Sequence, residues 1–223
     1  MNRELALCKS AFNLARLWKW SQSNPFTLVR FEKEQGRERV LSHGEEDRLL
    51  EVCQEWLREI VIFALDTGCR EGEILNLEWL DIDMEDRVIT VLQGKTGYPK
   101  VIPMTERVYG LLCSEVERAG LVFPTSNSTP FSASNMLRSF RIACNKSGIS
   151  GLRFHDLRHT YASRLVRAGV DIYTVGKLLG HRSPLTTSRY AHHSLDSLRS
   201  ATKLLVQTKG RRSSVVEQVI RNH

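Results

Sequence analysis

Six side chains spread along this chain are of the types that can break and rejoin a phosphodiester. They are two arginines, two histidines, a lysine and a tyrosine: Arg70, Lys95, His155, Arg158, His181 and Tyr190. A phosphodiester carries a full negative charge that repels nucleophiles, so a protein that cleaves one without a metal must supply fixed cations and a proton donor for the departing oxygen. Five of these residues can supply the charges and protons, which leaves Tyr190 as the candidate nucleophile.

Each of these residues has an ordinary interpretation when it is taken alone. An unperturbed tyrosine has a pKa of about 10 and is a poor nucleophile at neutral pH, so Tyr190 needs cations and a base beside it. Arg70 is three residues before Glu73 and can simply form a helical salt bridge with it, although that pairing also holds a guanidinium ready for a phosphate. Lys95 lies in a Gly-Lys-Thr-Gly turn, where lysines are usually solvated. Only the combination of these residues in one chain indicates phosphoryl-transfer chemistry.

The segment His155-Asp156-Leu157-Arg158-His159 has three interpretations. His155 and Arg158 are three residues apart and therefore neighbours on one helical face, which suits a shared anion. His155 and His159 are spaced as a zinc-binding pair, but the segment lacks the adjacent glutamate of the His-Glu-x-x-His motif and an obvious third ligand. Both histidines can also be ordinary core or surface residues.

Composition indicates which classes of partner and cellular location suit this chain. The chain has 223 residues with 41% hydrophobic content, and its 32 Lys+Arg against 25 Asp+Glu give a net charge of +7. Such a charge attracts polyanions such as nucleic acid, but it serves solubility equally well. The five cysteines have no CxxC spacing, which argues against a disulfide framework and a cysteine zinc site. With no signal peptide at the N-terminus and only a short apolar run at residues 60–65, we expect a cytoplasmic protein.

The elements that would position these residues are mostly helical. We predict a terminal helix over residues 5–20, a charged linker around 30–40, and then a helix that opens with a Ser42/Glu45 capping box. A helix over 56–67 should end at Gly68, with the next helix starting near Arg70. Strands at 88–92 and 100–102 should form a hairpin with Lys95 at its tip. Further helices are predicted over residues 105–119, 132–146, 155–168, 171–179 and 185–191, with Gly148, Gly169 and Gly180 as stops.

The order Arg, Lys, His-x-x-Arg, His, Tyr resembles the catalytic domain of the tyrosine recombinase, or phage integrase, family. The resemblance spans roughly Leu41 to Leu205. Its motifs are Thr67-Gly68-Cys69-Arg70-Glu71-Gly72-Glu73-Ile74, His155-Asp156-Leu157-Arg158-His159-Thr160, Leu178-Leu179-Gly180-His181 and Thr186-Thr187-Ser188-Arg189-Tyr190-Ala191-His192. It implies a mainly α fold with a small antiparallel β-sheet, the catalytic-domain fold of DNA breaking and rejoining enzymes.

The resemblance also implies a domain organisation. Residues 1–25 would be the remnant of an N-terminal core-binding helical domain, 26–41 a linker, 42–209 the catalytic domain and 210–223 a mobile tail. The partner would be double-stranded DNA, on which the chain would form a homo-tetramer while being a monomer alone. No membrane, metal, nucleotide or other cofactor would be involved.

The residue roles follow from the same resemblance. Tyr190 would attack the scissile phosphate, forming a 3′-phosphotyrosyl link and releasing a 5′-hydroxyl. The other positions would serve as follows: Arg70, Arg158 and His181 holding non-bridging oxygens, Lys95 protonating the leaving oxygen, His155 assisting proton transfer from Tyr190, and Glu73 supporting Arg70. The function expected is site-specific DNA recombination. Two alternatives remain, a type IB topoisomerase-like relaxing enzyme and a DNA-binding regulator without catalysis.

Overall fold

A computed structural model describes most of the chain in two compact units, Met1–Glu38 and Arg39–His223. The described residues are 2–32, 39–92, 99–114, 119–181, 183–188 and 190. Lys95 and the tail predicted over 210–223 lie outside them. The described residues are mainly helical with one small antiparallel sheet, which confirms the predicted fold class.

The first unit is built on helix α1, Asn2–Leu17, where a terminal helix is predicted. The side chain of Asn24 fastens the following turn to this helix. Its Nδ2 donates to the Lys9 carbonyl at 3.0 Å and to Asn13 Oδ1 at 2.9 Å, while its Oδ1 accepts from the Phe26 amide. A buried asparagine with all these bonds made holds the turn in one conformation.

The second unit contains the remaining described elements. The helices are α2 (His43–Val52), α3 (Glu55–Thr67), α4 (Glu71–Leu75), α5 (Glu106–Cys113), α6 (Ala133–Lys146), α7 (His155–Arg167), α8 (Ile172–Leu179) and α9 (Pro184–Ser188). The strands are β1 (Ile82–Asp83), β2 (Val88–Leu92) and β3 (Pro99–Pro103), in the order β1-β2-β3. The β2–β3 hairpin is confirmed, with Ile89 opposite Ile102. Strand β1 was not predicted, because two residues are too few to show alternation.

Helix α3 forms the centre of the main core. Ile60, Val61, Phe63 and Ala64 are each at most 1% exposed, and the ring of Phe63 meets that of Phe123 edge to face. The helix packs against α5 and α7, so the apolar run at 60–65 is explained as a helix covered on most of its sides. No described helix has the length and hydropathy of a membrane span.

The helix ends agree with the predicted signals. Ser42 caps α2 by accepting from the Glu45 amide, and the Glu45 side chain returns a bond to the Ser42 amide, forming the capping box. Gly68 ends α3 and Gly180 ends α8, both in the left-handed conformation with φ of 62° and 68°. Glycine adopts that conformation without the steric cost of a Cβ, which explains these stops.

The capping carboxylate of Glu45 should make stability depend on pH. A hydrogen-bonded ion pair with Arg39 and a bond from the Ser42 amide lower the pKa of Glu45 from 4.5 to about 2. A depressed folded-state pKa contributes stability above the unfolded value, and that contribution disappears as pH falls through the folded value. We expect Glu45→Gln to lower the free energy of unfolding by about 1 to 2 kcal/mol at pH 7. The deficit should shrink between pH 4.5 and 2, measured by urea unfolding.

The control for this prediction is Glu51→Gln, which makes the same chemical change at an exposed position of the same helix. Its effect should stay within about 0.5 kcal/mol of zero at every pH. A Glu45→Gln deficit that is constant from pH 7 to 3 would contradict the assignment to the ionised carboxylate.

Candidate active site

The guanidinium of Arg158 joins three segments at the centre of the site. Arg158 lies on α7, is 3% exposed, and donates to the Gly68 carbonyl at 2.6 Å and to the Leu179 carbonyl at 2.5 Å. Both acceptors belong to helix C-termini, those of α3 and α8, where carbonyls lack helical partners and the helix dipole is negative. A guanidinium carries five N–H groups, so these two bonds leave donors for a bound anion.

Close packing around Gly68 permits this arrangement. A Cβ built on Gly68 would lie 2.5 Å from Cδ1 of Tyr161 and 3.0 Å from Cδ2 of Leu179. Any side chain at this position would therefore push α7 and α8 away from the end of α3. Glycine serves twice here, as the left-handed helix stop and as the point where three helices come together.

Arg70 is held by a short chain of charges. Its guanidinium pairs with Glu73 Oε1 at 2.7 Å, and its amide donates to Glu73 Oε2 at 2.9 Å. Oε2 also pairs at 2.9 Å with Nζ of Lys100, whose side chain is 1% exposed. The Arg70 side chain itself is 44% exposed. A buried cation thus holds the carboxylate that in turn holds an accessible guanidinium.

The pKa values of Glu73 and Cys69 are both shifted by these neighbours and by burial. Burial raises the pKa of Glu73, but the charge of Lys100 and hydrogen bonds from Arg70 and Lys100 outweigh it, so the net shift is downward. Glu73 is therefore a carboxylate at neutral pH. Cys69, whose Sγ lies 3.5 Å from Lys100 Nζ, has its pKa raised by burial despite that cation. It is a packed thiol.

His181 follows the end of α8 and is oriented by Thr187 of α9. Its Nδ1 lies 2.8 Å from the Thr187 hydroxyl, and its amide donates to the Gly176 carbonyl. Thr187 is 1% exposed and can approach only because position 176 has no side chain, since a Cβ there would lie 2.9 Å from Thr187 Oγ1. The ring plane of His181 is thereby fixed relative to the end of α8.

Tyr190 packs against α7 and α8 in a second apolar cluster with Tyr161, Val175 and Leu179. Its hydroxyl lies 2.5 Å from Nδ1 of His159. The side chain is 7% exposed. The next histidine along α7 is His155, which is exposed and whose ring meets that of His159 edge to face at 5.0 Å between centroids.

The charges of the site act on one another. Burial first, and then the positive charge of Arg70, lower the pKa of Arg158 to about 10, while Glu73, Cys69 and Tyr190 oppose the shift. Arg70 follows Gly68 by two residues, and the Gly68 carbonyl accepts from Arg158, so both arginines lie at the C-terminal end of α3. Arg158 remains protonated at neutral pH, so the site presents a concentrated positive charge next to the Tyr190 hydroxyl.

The structure thus brings together most of the predicted site residues. Arg70, Arg158, His181 and Tyr190 surround the junction of α3, α7 and α8, with Glu73 beside Arg70. The predicted sharing of one helical face by His155 and Arg158 is only partly realised, because His155 is exposed while Arg158 turns inward to the two carbonyls. Lys95 lies outside the described residues.

Three residues of this region were missed by sequence reasoning. From its sequence context, His159 is only a zinc-ligand candidate or an ordinary histidine, although it is one turn from His155. Lys100 shares the inward face of β3 with Ile102, and the alternation of that strand is the signal that could have found it. No pattern in the sequence distinguishes Thr187 from the other threonines. For the zinc alternative, no group of three potential ligands occurs among the described residues.

Comparisons with known proteins identify the family. The phage integrase family matches residues 39–196, so the chain belongs to that family. It is 38% identical over 196 residues to a shufflon-specific DNA recombinase of Escherichia coli, covering 85% of this chain and 50% of that protein. It is 34% identical over 191 residues to an integrase of Salmonella phage P22, covering 79% and 49%. The chain therefore spans about half the length of these relatives.

Solved structures agree on the fold. A Tn1549 transposon integrase in complex with transposon right end DNA has a TM-score of 0.75 at 23% identity, covering 92% of this chain and 78% of that one. A lambda integrase dimer bound to a COC′ core site has a TM-score of 0.69 at 25% identity, covering 85% and 59%. The mainly α unit with its small sheet is thus the catalytic-domain fold of tyrosine recombinases.

The close approach at Gly68 can be separated from its backbone conformation. Gly68→Ala places a Cβ against Tyr161 and also strains a residue with φ of 62°. Gly148→Ala is the matched control, because Gly148 has φ of 70° but nothing within 4 Å of its Cβ position. We expect about 1 kcal/mol of destabilisation for the control and about 1 to 3 kcal/mol more for Gly68→Ala. Equal losses in denaturant unfolding would show that the packing at Gly68 is not tight.

Lys100 should matter for stability through Glu73. Lys100→Met leaves a buried carboxylate that has lost one of its two cations, and we expect a loss of about 3 kcal/mol in the free energy of unfolding. The double variant Lys100→Met/Glu73→Gln removes the uncompensated charge and should lose less than the sum of the two single variants. Strict additivity in that cycle would argue against the ion pair.

Proposed function

We propose that this chain is the catalytic part of a site-specific DNA recombinase that cleaves and rejoins strands through a 3′-phosphotyrosyl intermediate. Family membership supports this proposal, as do relatives named as DNA recombinase and integrase and structural neighbours described in complex with DNA. The observation that carries it is that Arg70, Arg158 and Tyr190 all lie at the junction of α3, α7 and α8.

The cations have separate tasks in this mechanism. Arg158 is buried and fixed by two carbonyls, so it presents its remaining donors in one direction without reorganising during the reaction. Arg70 is accessible and steadied by Glu73, which suits a fork that grips the non-bridging oxygens of an incoming phosphate. His181, held at Nδ1 by Thr187, addresses the same phosphate through its other ring nitrogen.

The chemical step exchanges one phosphoester for another. The Tyr190 oxygen forms a bond to phosphorus while the bond from phosphorus to the 5′ oxygen breaks. The phenolic proton passes to a base in the site, and the 5′ oxygen takes a proton from Lys95, which lies between β2 and β3 in the sequence. Because one ester replaces another, the reaction needs no external energy source, and a 5′-hydroxyl can later attack the phosphotyrosine to rejoin a strand.

The assembly follows from the same proposal. Recombination joins two duplexes, so four copies of the chain would act together on double-stranded DNA, each cleaving one strand. The net charge of +7 favours association with DNA, and in the cell the protein would lie at the nucleoid.

The proposal is tested by trapping the intermediate. The protein is incubated with a suicide duplex carrying its own recombination site, nicked near the cleavage position so that the released fragment diffuses away. We expect a covalent protein–DNA adduct that resists boiling in detergent and is absent for Tyr190→Phe, because phenylalanine has no oxygen to form the ester. Tyr173→Phe, at an exposed tyrosine of α8, is the control and should give adduct at the unaltered rate.

Other outcomes favour the two alternatives. Sequence-specific binding without adduct for the unaltered chain would contradict the proposal and favour a regulator. Relaxation of supercoiled plasmid without any recombinant product from two sites would favour a topoisomerase-like enzyme.

A further inference from the structure

Among the described residues, His159 contacts the nucleophilic oxygen of Tyr190. Nδ1 of His159 lies 2.5 Å from the Tyr190 hydroxyl, which is hydrogen-bonding distance for an O–H and a ring nitrogen. His155, to which the family resemblance gives the task of assisting proton transfer, is exposed and packs its ring against that of His159. Tyr190 therefore contacts His159, and His159 in turn contacts His155.

We propose that His159 is a catalytic residue that takes the phenolic proton of Tyr190 when the strand is cut and returns it when the strand is rejoined. The proposal rests on the recombinase function proposed above. It assigns to Nδ1 the role of acceptor, which requires the tautomer with hydrogen on Nε2. In that tautomer the Tyr190 O–H is the donor and points its proton at Nδ1.

The surroundings keep the His159 ring in place for this task. Its ring lies edge to face with His155 on one side, with an interplanar angle of 90°, and 5.7 Å from the Tyr190 ring centroid on the other. His159 is partly buried one helical position after Arg158, whose guanidinium is fixed by two carbonyls. The base and a cation that would hold the phosphate oxygens are thus carried by neighbouring residues of one helix.

The proton and electron pairs balance in both directions. During cleavage the Tyr190 O–H bond breaks and an Nδ1–H bond forms, while the phenolic oxygen bonds to phosphorus and the 5′ oxygen leaves with a proton from Lys95. During rejoining the 5′-hydroxyl loses its proton to Lys95 and attacks phosphorus, and the imidazolium of His159 returns its proton to the leaving phenolate. One histidine therefore acts as base in one half-reaction and as acid in the other.

The variant His159→Asn separates proton transfer from positioning. The asparagine oxygen can accept a hydrogen bond from Tyr190 from about the place of Nδ1, but an amide is not a base at neutral pH. We expect adduct formation on the suicide duplex to slow by about a hundredfold or more, as is usual for loss of a general base. DNA affinity should be unchanged. His155→Asn, a matched change one turn away, should slow adduct formation less than His159→Asn.

A second substrate identifies which proton is involved. In a duplex with sulfur at the scissile 5′ bridging position the leaving thiolate needs no proton, so a missing acid is bypassed while a missing base is not. The defect of His159→Asn should persist on this duplex, whereas the defect of Lys95→Ala should largely disappear. A cleavage rate for His159→Asn within threefold of the unaltered chain, or recovery of that variant on the sulfur duplex, would overturn the proposal.

A measurement on the unaltered chain avoids any dependence on how variants fold. Nitrogen-15 spectra of the imidazole rings distinguish a protonated from an unprotonated Nδ1. The signal of His159 is assigned as the one that shifts most when Tyr190 is replaced by phenylalanine. We expect an unprotonated, hydrogen-bonded Nδ1, and a protonated one would overturn the proposal. Failure of the recombinase function itself looks different, because the unaltered chain would then form no adduct on either duplex.

Discussion

The two hydrogen bonds from Arg158 to the Gly68 and Leu179 carbonyls are the constraint on which the site depends. They join the C-terminal ends of α3 and α8 through one side chain of α7, so the three motifs that carry Arg70, Arg158 and His181 meet at one place. Burying a guanidinium is costly unless its donors are satisfied, and helix ends supply carbonyls that need donors. The arginine that would stabilise a phosphate is thus also the one that assembles the residues around it.

Around this centre, each accessible group is supported by a buried one. Lys100 holds Glu73, which holds Arg70, and Thr187 holds His181. The buried partners lie on β3 and α9, so the sheet and the last described helix contribute to the site without supplying its chemistry. Gly176 allows Thr187 to approach His181, and Gly68 allows α7 and α8 to approach the end of α3, since a Cβ at either position would lie within 3 Å of a neighbouring side-chain atom. Fixed dipoles and charges of this kind are what phosphoryl transfer requires of a protein.

The sequence predicts that His155 and His159 lie on a helix, but it does not predict which residues they contact. The spacing of His155 and Arg158 correctly indicated a helix and a shared region of the fold, but it did not reveal that Arg158 turns inward while His155 remains exposed. Nor did it indicate that His159 would meet Tyr190, because those two residues are brought together by the packing of the last described segment on α7 and α8. Helical periodicity relates residues within one helix and carries no information about a partner from another element.

Local sequence signals specify much of the secondary structure of this protein. The Ser42/Glu45 capping box, the glycine stops at 68 and 180 and the β2–β3 hairpin all arise from interactions between residues close in the chain, so the sequence alone specifies them. The order and types of the candidate residues indicated phosphoryl transfer, and the family was recognisable from the same motifs. Only the tertiary structure decided that Lys100 is buried against Glu73, that Thr187 orients His181 and that His159 contacts Tyr190. Those contacts join residues far apart in the chain, and they form only when separate elements pack together.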